Sequence, residues 1–136
     1  MGGNLARFGC NLTRSAYLEL ELSKMLPEID RRRVDKLLAL FDAHVPARAR
    51  DKVRYGHSFR GNSVTLFERR PRYNDPSVWG QLAVAQFRRN ARTRLWSLYC
   101  RDRNERWHLY EGVAPTQKLS SLVVEVQRDP TGIFFG

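Results

Sequence analysis

The chain has 136 residues, 42% of them hydrophobic and 28% charged, with 24 Lys and Arg against 14 Asp and Glu for a formal net charge of +10. That is the length of one domain with one modest core. No apolar run approaches the roughly 20 residues of a membrane span, and Met1–Asn11 holds no apolar signal core, so a membrane protein, a secretory leader, a fibrous chain and a multidomain enzyme are not expected.

Residues 1–24 read differently from the rest and are taken as a leader. Ala16–Ser23 alternates apolar and polar residues. That is a strand period, though Leu and Glu suit a turn or two of helix equally; either Met25 is the natural start and the leader an upstream extension, or Tyr17–Leu22 adds an edge strand. Residues 25–136 read as a single domain. Pro27–Ala43 is the clearest helix: Pro27 suits the first turn, Glu28 and Asp30 face the positive end of the dipole, and Ile29, Val34, Leu37, Leu38 and Phe41 form an apolar stripe. Val45-Pro46 ends it.

From Val53 to Tyr110 the pattern predicts five antiparallel strands. Val53, Tyr55, His57 and Phe59 alternate with Arg54, Gly56, Ser58 and Arg60, and Gly61-Asn62 is a hairpin signal. Ser63–Arg70, Gln81–Arg89, Leu95–Arg101 and Arg106–Tyr110 follow, separated by turn-rich stretches. Beyond Gly112–Pro115, Thr116 reads as the N-cap of a helix whose stripe is Leu119, Leu122, Val123 and Val126. Ile133, Phe134 and Phe135 close the chain. They are costly to leave in water and are expected to dock on the core or on a partner.

The basic charge is concentrated. Arg48 to Tyr110 holds 15 cations and 5 acids, so this stretch alone carries 15 − 5 = +10, and 20 of the chain's 24 cations are Arg. Such a segment attracts polyanions, and Arg matches phosphate and stacks on bases better than Lys does. Cys10 and Cys100 do not make a disulfide framework, which suits a reducing cytoplasm, and Cys100 suits a buried free thiol.

Three stretches carry a resemblance: Arg60–Pro71 (RGNSVTLFERRP), Leu95–His108 (LWSLYCRDRNERWH) and Asp129–Gly136 (DPTGIFFG). Together they resemble domain-of-unknown-function family 3024, over roughly Met25 to Gly136. The resemblance implies an intracellular bacterial protein and brings no activity, cofactor or catalytic residue with it.

The expected fold is α+β: an N-terminal helix, a five-stranded antiparallel β-meander and a C-terminal helix packed with the first on one sheet face, the other face being Arg-rich. The nucleic-acid-binding candidates are Arg69, Arg70, Arg72, Arg88, Arg89, Arg101, Arg103 and Trp79. Aromatic residues in the strands serve either as core or, beside Arg, as a stacking platform for single strands. A non-catalytic nucleic-acid or other polyanion partner is the leading reading. A protein partner or homodimer using Ile133, Phe134 and Phe135 is the alternative. A ribonuclease-like activity would need His57 and His108 to converge with Glu105 or Glu68. No cofactor or metal site is expected, since no ligand spacing stands out; Asp102 and Asn104 suit a turn.

Overall fold

A computed structural model describes Arg14 and residues 25–136. The strand or helix expected around Tyr17–Leu22, and Cys10, lie outside the described residues. The elements run α1 (Glu28–Ala43), a short 3₁₀ turn (Ala47–Ala49), β1 (Arg54–Arg60), β2 (Ser63–Pro71), β3 (Trp79–Arg89), β4 (Trp96–Arg101), β5 (Trp107–Leu109) and α2 (Leu119–Arg128). The strands pair in sequence order, each antiparallel to the next, so the α+β meander is as the pattern predicts.

Strand parity decides which side chains meet the helices. One row across the sheet is Phe59–Val64–Phe87–Leu98, and the next is His57–Leu66–Ala85–Cys100–His108. Val64, Leu66, Ala85, Phe87, Leu98 and Cys100 are buried in one core with Val34, Leu38 and Phe41 of α1 and Leu119, Leu122, Val123 and Val126 of α2. Both helices therefore cover the same face. A bulge opposite Leu66–Phe67 inserts one residue into β3, and Val84 and Ala85 are consequently buried side by side. The first hairpin turns at Gly61, whose φ of +57° needs no Cβ.

Two expectations are corrected. Ile29 is 60% exposed; five residues before Val34, it lies about 140° round the helix from the stripe. Thr116 is not the cap of α2. Its backbone exchanges hydrogen bonds with Trp96 (2.7 and 3.0 Å), and its hydroxyl accepts from the Lys118 N–H at 3.0 Å. That bridge holds Thr116 extended, and the helix starts at Leu119 with Lys118 in the cap position.

The tail docks on the core. Asp129 ends α2 in the left-handed region at φ +43°, and its carboxylate accepts the N–H groups of Phe134 (3.0 Å) and Phe135 (2.9 Å). Phe134 is buried against Tyr110, and Phe135 packs on Phe41 and Tyr55. Ile133 remains half exposed.

Asp42 ties α1 to the edge strand. Its carboxylate accepts from Arg54 Nε and Nη2 (2.8 and 2.7 Å), from Arg50 Nη2 (3.2 Å) and from the Tyr55 N–H (3.0 Å). The Arg54 hydrogen bonds, outweighing desolvation, hold the Asp42 carboxyl well below its ordinary 3.8. A depressed folded-state value means the ionised form stabilises the fold. That stabilisation is complete above about pH 4 and is lost as pH falls further. Asp42→Asn is expected to lower unfolding free energy at pH 7 by about 1.5–3 kcal/mol. Urea titrations should find the deficit shrinking between pH 4 and pH 2; a deficit constant over that range would refute the assignment.

Candidate functional site: the sheet face opposite the helices

The face turned away from the helices carries Arg60, Arg69, Arg88 and Arg101 together with Phe67, Trp79, Tyr99 and Trp107, all at the strand parity opposite to the core rows. Among the described strand residues at this parity there is no Asp or Glu. A hydrogen-bonded ladder runs through its centre: Arg88 Nε donates to the Gln86 amide oxygen at 2.6 Å, and the Gln86 amide nitrogen donates to the Thr65 hydroxyl at 2.9 Å. This fixes the Arg88 guanidinium over the Tyr99 ring, 3.8 Å from its centroid. The neighbouring Arg101 guanidinium stands 5.8 Å from the Trp107 centroid and pairs with Glu105 at 3.3 Å. Guanidinium–ring pairs are worth about 0.5–2 kcal/mol, rising with desolvation.

At the far end of β2, Arg54, Tyr55, Arg69 and Trp79 line a cleft of about 340 Å³. Arg54 is committed to Asp42, and Arg69 has no ion pair among the described residues. Arg72 lies over Gly80, its Cγ 3.7 Å from where a Cβ would stand, and its N–H closes the connecting loop on the Val78 carbonyl at 2.8 Å.

The predicted arginines do not share one surface. Arg69, Arg88 and Arg101 lie on the face opposite the helices, and Trp79 stands at its edge. Arg70 has the opposite parity and binds Glu68. Arg89 also turns to the helical side, where its side chain is 11% exposed and faces Asp30 of α1 at 3.7 Å. Arg103 is exposed in the β4–β5 turn. Phe67, Tyr99 and Trp107 belong to the platform, whereas Phe87, Trp96 and Tyr110 are core. The signal separating the two sets is parity relative to Leu98 and Cys100.

The histidines do not converge. His57 is on β1 and His108 on β5, with three strands between them, about 19 Å by four strand spacings of ~4.8 Å. Each imidazole has its own carboxylate, Asp35 at 2.7 Å for His57 and Asp102 at 2.6 Å for His108. Asp102 also accepts the Asn104 and Arg106 N–H groups (2.8 and 3.0 Å), the turn role expected of it. The Arg106 N–H, then His108, lowers its carboxyl below the ordinary range. Glu105 is held in the same turn at φ +66°. Cys100 is a buried free thiol, and burial pushes its titration up, away from the reactive thiolate. No described helix is long and apolar enough to cross a membrane, and no described group of His, Cys, Asp and Glu is arranged to hold a metal.

The described residues thus define a two-layer α+β domain with both helices on one side of an antiparallel sheet and an arginine–aromatic surface on the other. The chain belongs to the family described as a domain of unknown function (DUF3024), whose model matches residues 26–136. No curated protein and no solved structure matches it.

Proposed function

We propose that this domain is a non-catalytic nucleic-acid-binding module that takes single strands on the sheet face opposite the helices. The observation that carries the reading is the pairing of Arg88 with Tyr99 and Arg101 with Trp107 on a surface whose strand positions bear no acid. Phosphates would be met by guanidinium forks, and bases would stack on aromatic rings or on the guanidinium planes themselves. Single strands suit this arrangement better than duplex, because a duplex hides the faces of its bases. Affinity should rest on phosphate contacts and therefore fall steeply with salt.

The test is a binding titration of nucleic-acid-free protein against short single- and double-stranded DNA and RNA from low to high salt. Preference for single strands with a linear negative log–log salt slope is expected. An affinity indifferent to salt, or no binding at low salt, would exclude the proposal. A protein partner is the second reading. With Phe134 buried, its contact would be confined to Ile133 and the open side of Phe135.

A further inference from the structure

A second basic site lies on the helical side of the sheet. Arg33 on α1, Arg89 at the end of β3 and Arg94 in the β3–β4 connection line one pocket of about 360 Å³ with Asp30, Trp96 and Gln117. Three arginines and one carboxylate line it, with the Arg33 and Arg89 guanidiniums nearest Asp30. Asp30 does not use up their donors: it stands 3.8 Å from Arg33 Nη1 and 3.7 Å from Arg89 Nη2, both beyond hydrogen-bond length. The Arg89 side chain is only 11% exposed, yet its guanidinium makes no hydrogen bond among the described residues. A largely desolvated guanidinium with open donors is unfavourable until an anion completes it.

Two further features shape the pocket. From α1, a 16-residue helix, the pocket takes the Ile29, Asp30 and Arg33 side chains of its first two turns. Arg94 holds φ +62°, a conformation that suits Gly and is strained for Arg. The conformation closes the β3–β4 turn, where the Arg94 N–H donates to the Asn90 carbonyl at 2.7 Å, and it places Arg94 at the pocket.

We propose that the Arg33–Arg89–Arg94 pocket binds a phosphate monoester, the dianion whose oxygens match several guanidinium forks at once. Its volume is that of a small-ligand site. The phosphate is either a free small molecule's or the 5′-terminal group of a strand.

Calorimetric titration at constant ionic strength, with inorganic phosphate, adenosine 5′-monophosphate and adenosine, tests this. Phosphate and the monophosphate should bind, and adenosine should not. Arg94→Gly should weaken binding about tenfold or more while raising the thermal midpoint by about 2–5 °C, because it relieves the backbone. Asp30→Asn should tighten binding several-fold by removing the one opposing charge. Alanine at Arg69, Arg88 and Arg101 should leave it unchanged, so this pocket and the sheet face stand or fall separately. A 5′-phosphorylated oligonucleotide outbinding its 5′-hydroxyl twin, with the difference erased by Arg94→Gly, identifies a strand terminus as the source. Equal binding of the twins beside retained phosphate binding identifies a free phosphate. No phosphate binding by the wild-type protein, or binding that neither variant alters, overturns the proposal.

Discussion

Alanine at Arg69, Arg88 and Arg101 together is expected to weaken binding of a short single-stranded oligonucleotide about 100-fold near 0.1 M salt, with little change in fold. Each guanidinium contributes a phosphate contact of roughly 1 kcal/mol net. Removing three contacts should also reduce the log–log salt slope by about 2, since each phosphate neutralised on a single strand contributes ~0.7. Charge alone does not explain such a loss if geometry matters. The control removes equal charge from the helical side, through alanine at Arg32, Lys36 and Arg128, all exposed on α1 or α2. That variant has the same net charge, +10 − 3 = +7, and should lose under about fivefold. Equal losses would mean a diffuse field rather than a binding face. Loss of the circular-dichroism signal of the first variant would move the explanation to stability, through the Gln86–Thr65 ladder that Arg88 joins.

The fold was legible because its periods are clean. Val34, Leu38 and Phe41 recur on one helical stripe, and Val64 and Leu66 alternate with Thr65 and Phe67 on a half-buried strand. Parity also states that Arg88 and Arg89 must point to opposite faces. What parity alone does not state is which of them meets the helix layer, because that depends on cross-strand register: Arg88 is paired with Ser97 and Arg89 with Trp96. The Trp96 side is the core, so Arg89 is the one desolvated. Long-range side-chain pairs left no sequence signal. Asp42 reaches Arg54 across the 3₁₀ turn, and Arg33 and Arg94 meet across 61 positions of chain (94 − 33) at one pocket. His57 and His108 are alike in sequence terms, both strand residues within three positions of an arginine, and only the strand order separates them. Thr116 was a reasonable cap by residue type, but its backbone was already engaged by Trp96.

Phe87→Ala should be the most damaging single substitution in the sheet, at about 3–5 kcal/mol in urea or guanidinium unfolding. Phe87 is completely buried in the Phe59–Val64–Phe87–Leu98 row, on the middle strand, in one core with side chains of both helices. Its removal leaves a cavity that its cross-strand partners Val64 and Leu98 and the helix side chains of the same core cannot close without shifting the whole layer. Against a typical domain stability of 5–15 kcal/mol, that is enough to unfold a marginal chain at 37 °C. The companion measurement is Tyr99→Ala. Tyr99 lies one strand over and on the opposite face, half-buried with Arg88 over its ring. Its truncation should cost only about 1 kcal/mol, the stacking contribution plus partial burial. The contrast between the two tests the architecture on which the binding surface depends. If Tyr99→Ala proves as costly as Phe87→Ala, that face is packed rather than open, and a single strand has no platform on which to lie. If the two differ by several-fold, the sheet has one side that holds the fold together and one whose aromatic side chains contribute little to stability, leaving them free to contact a ligand.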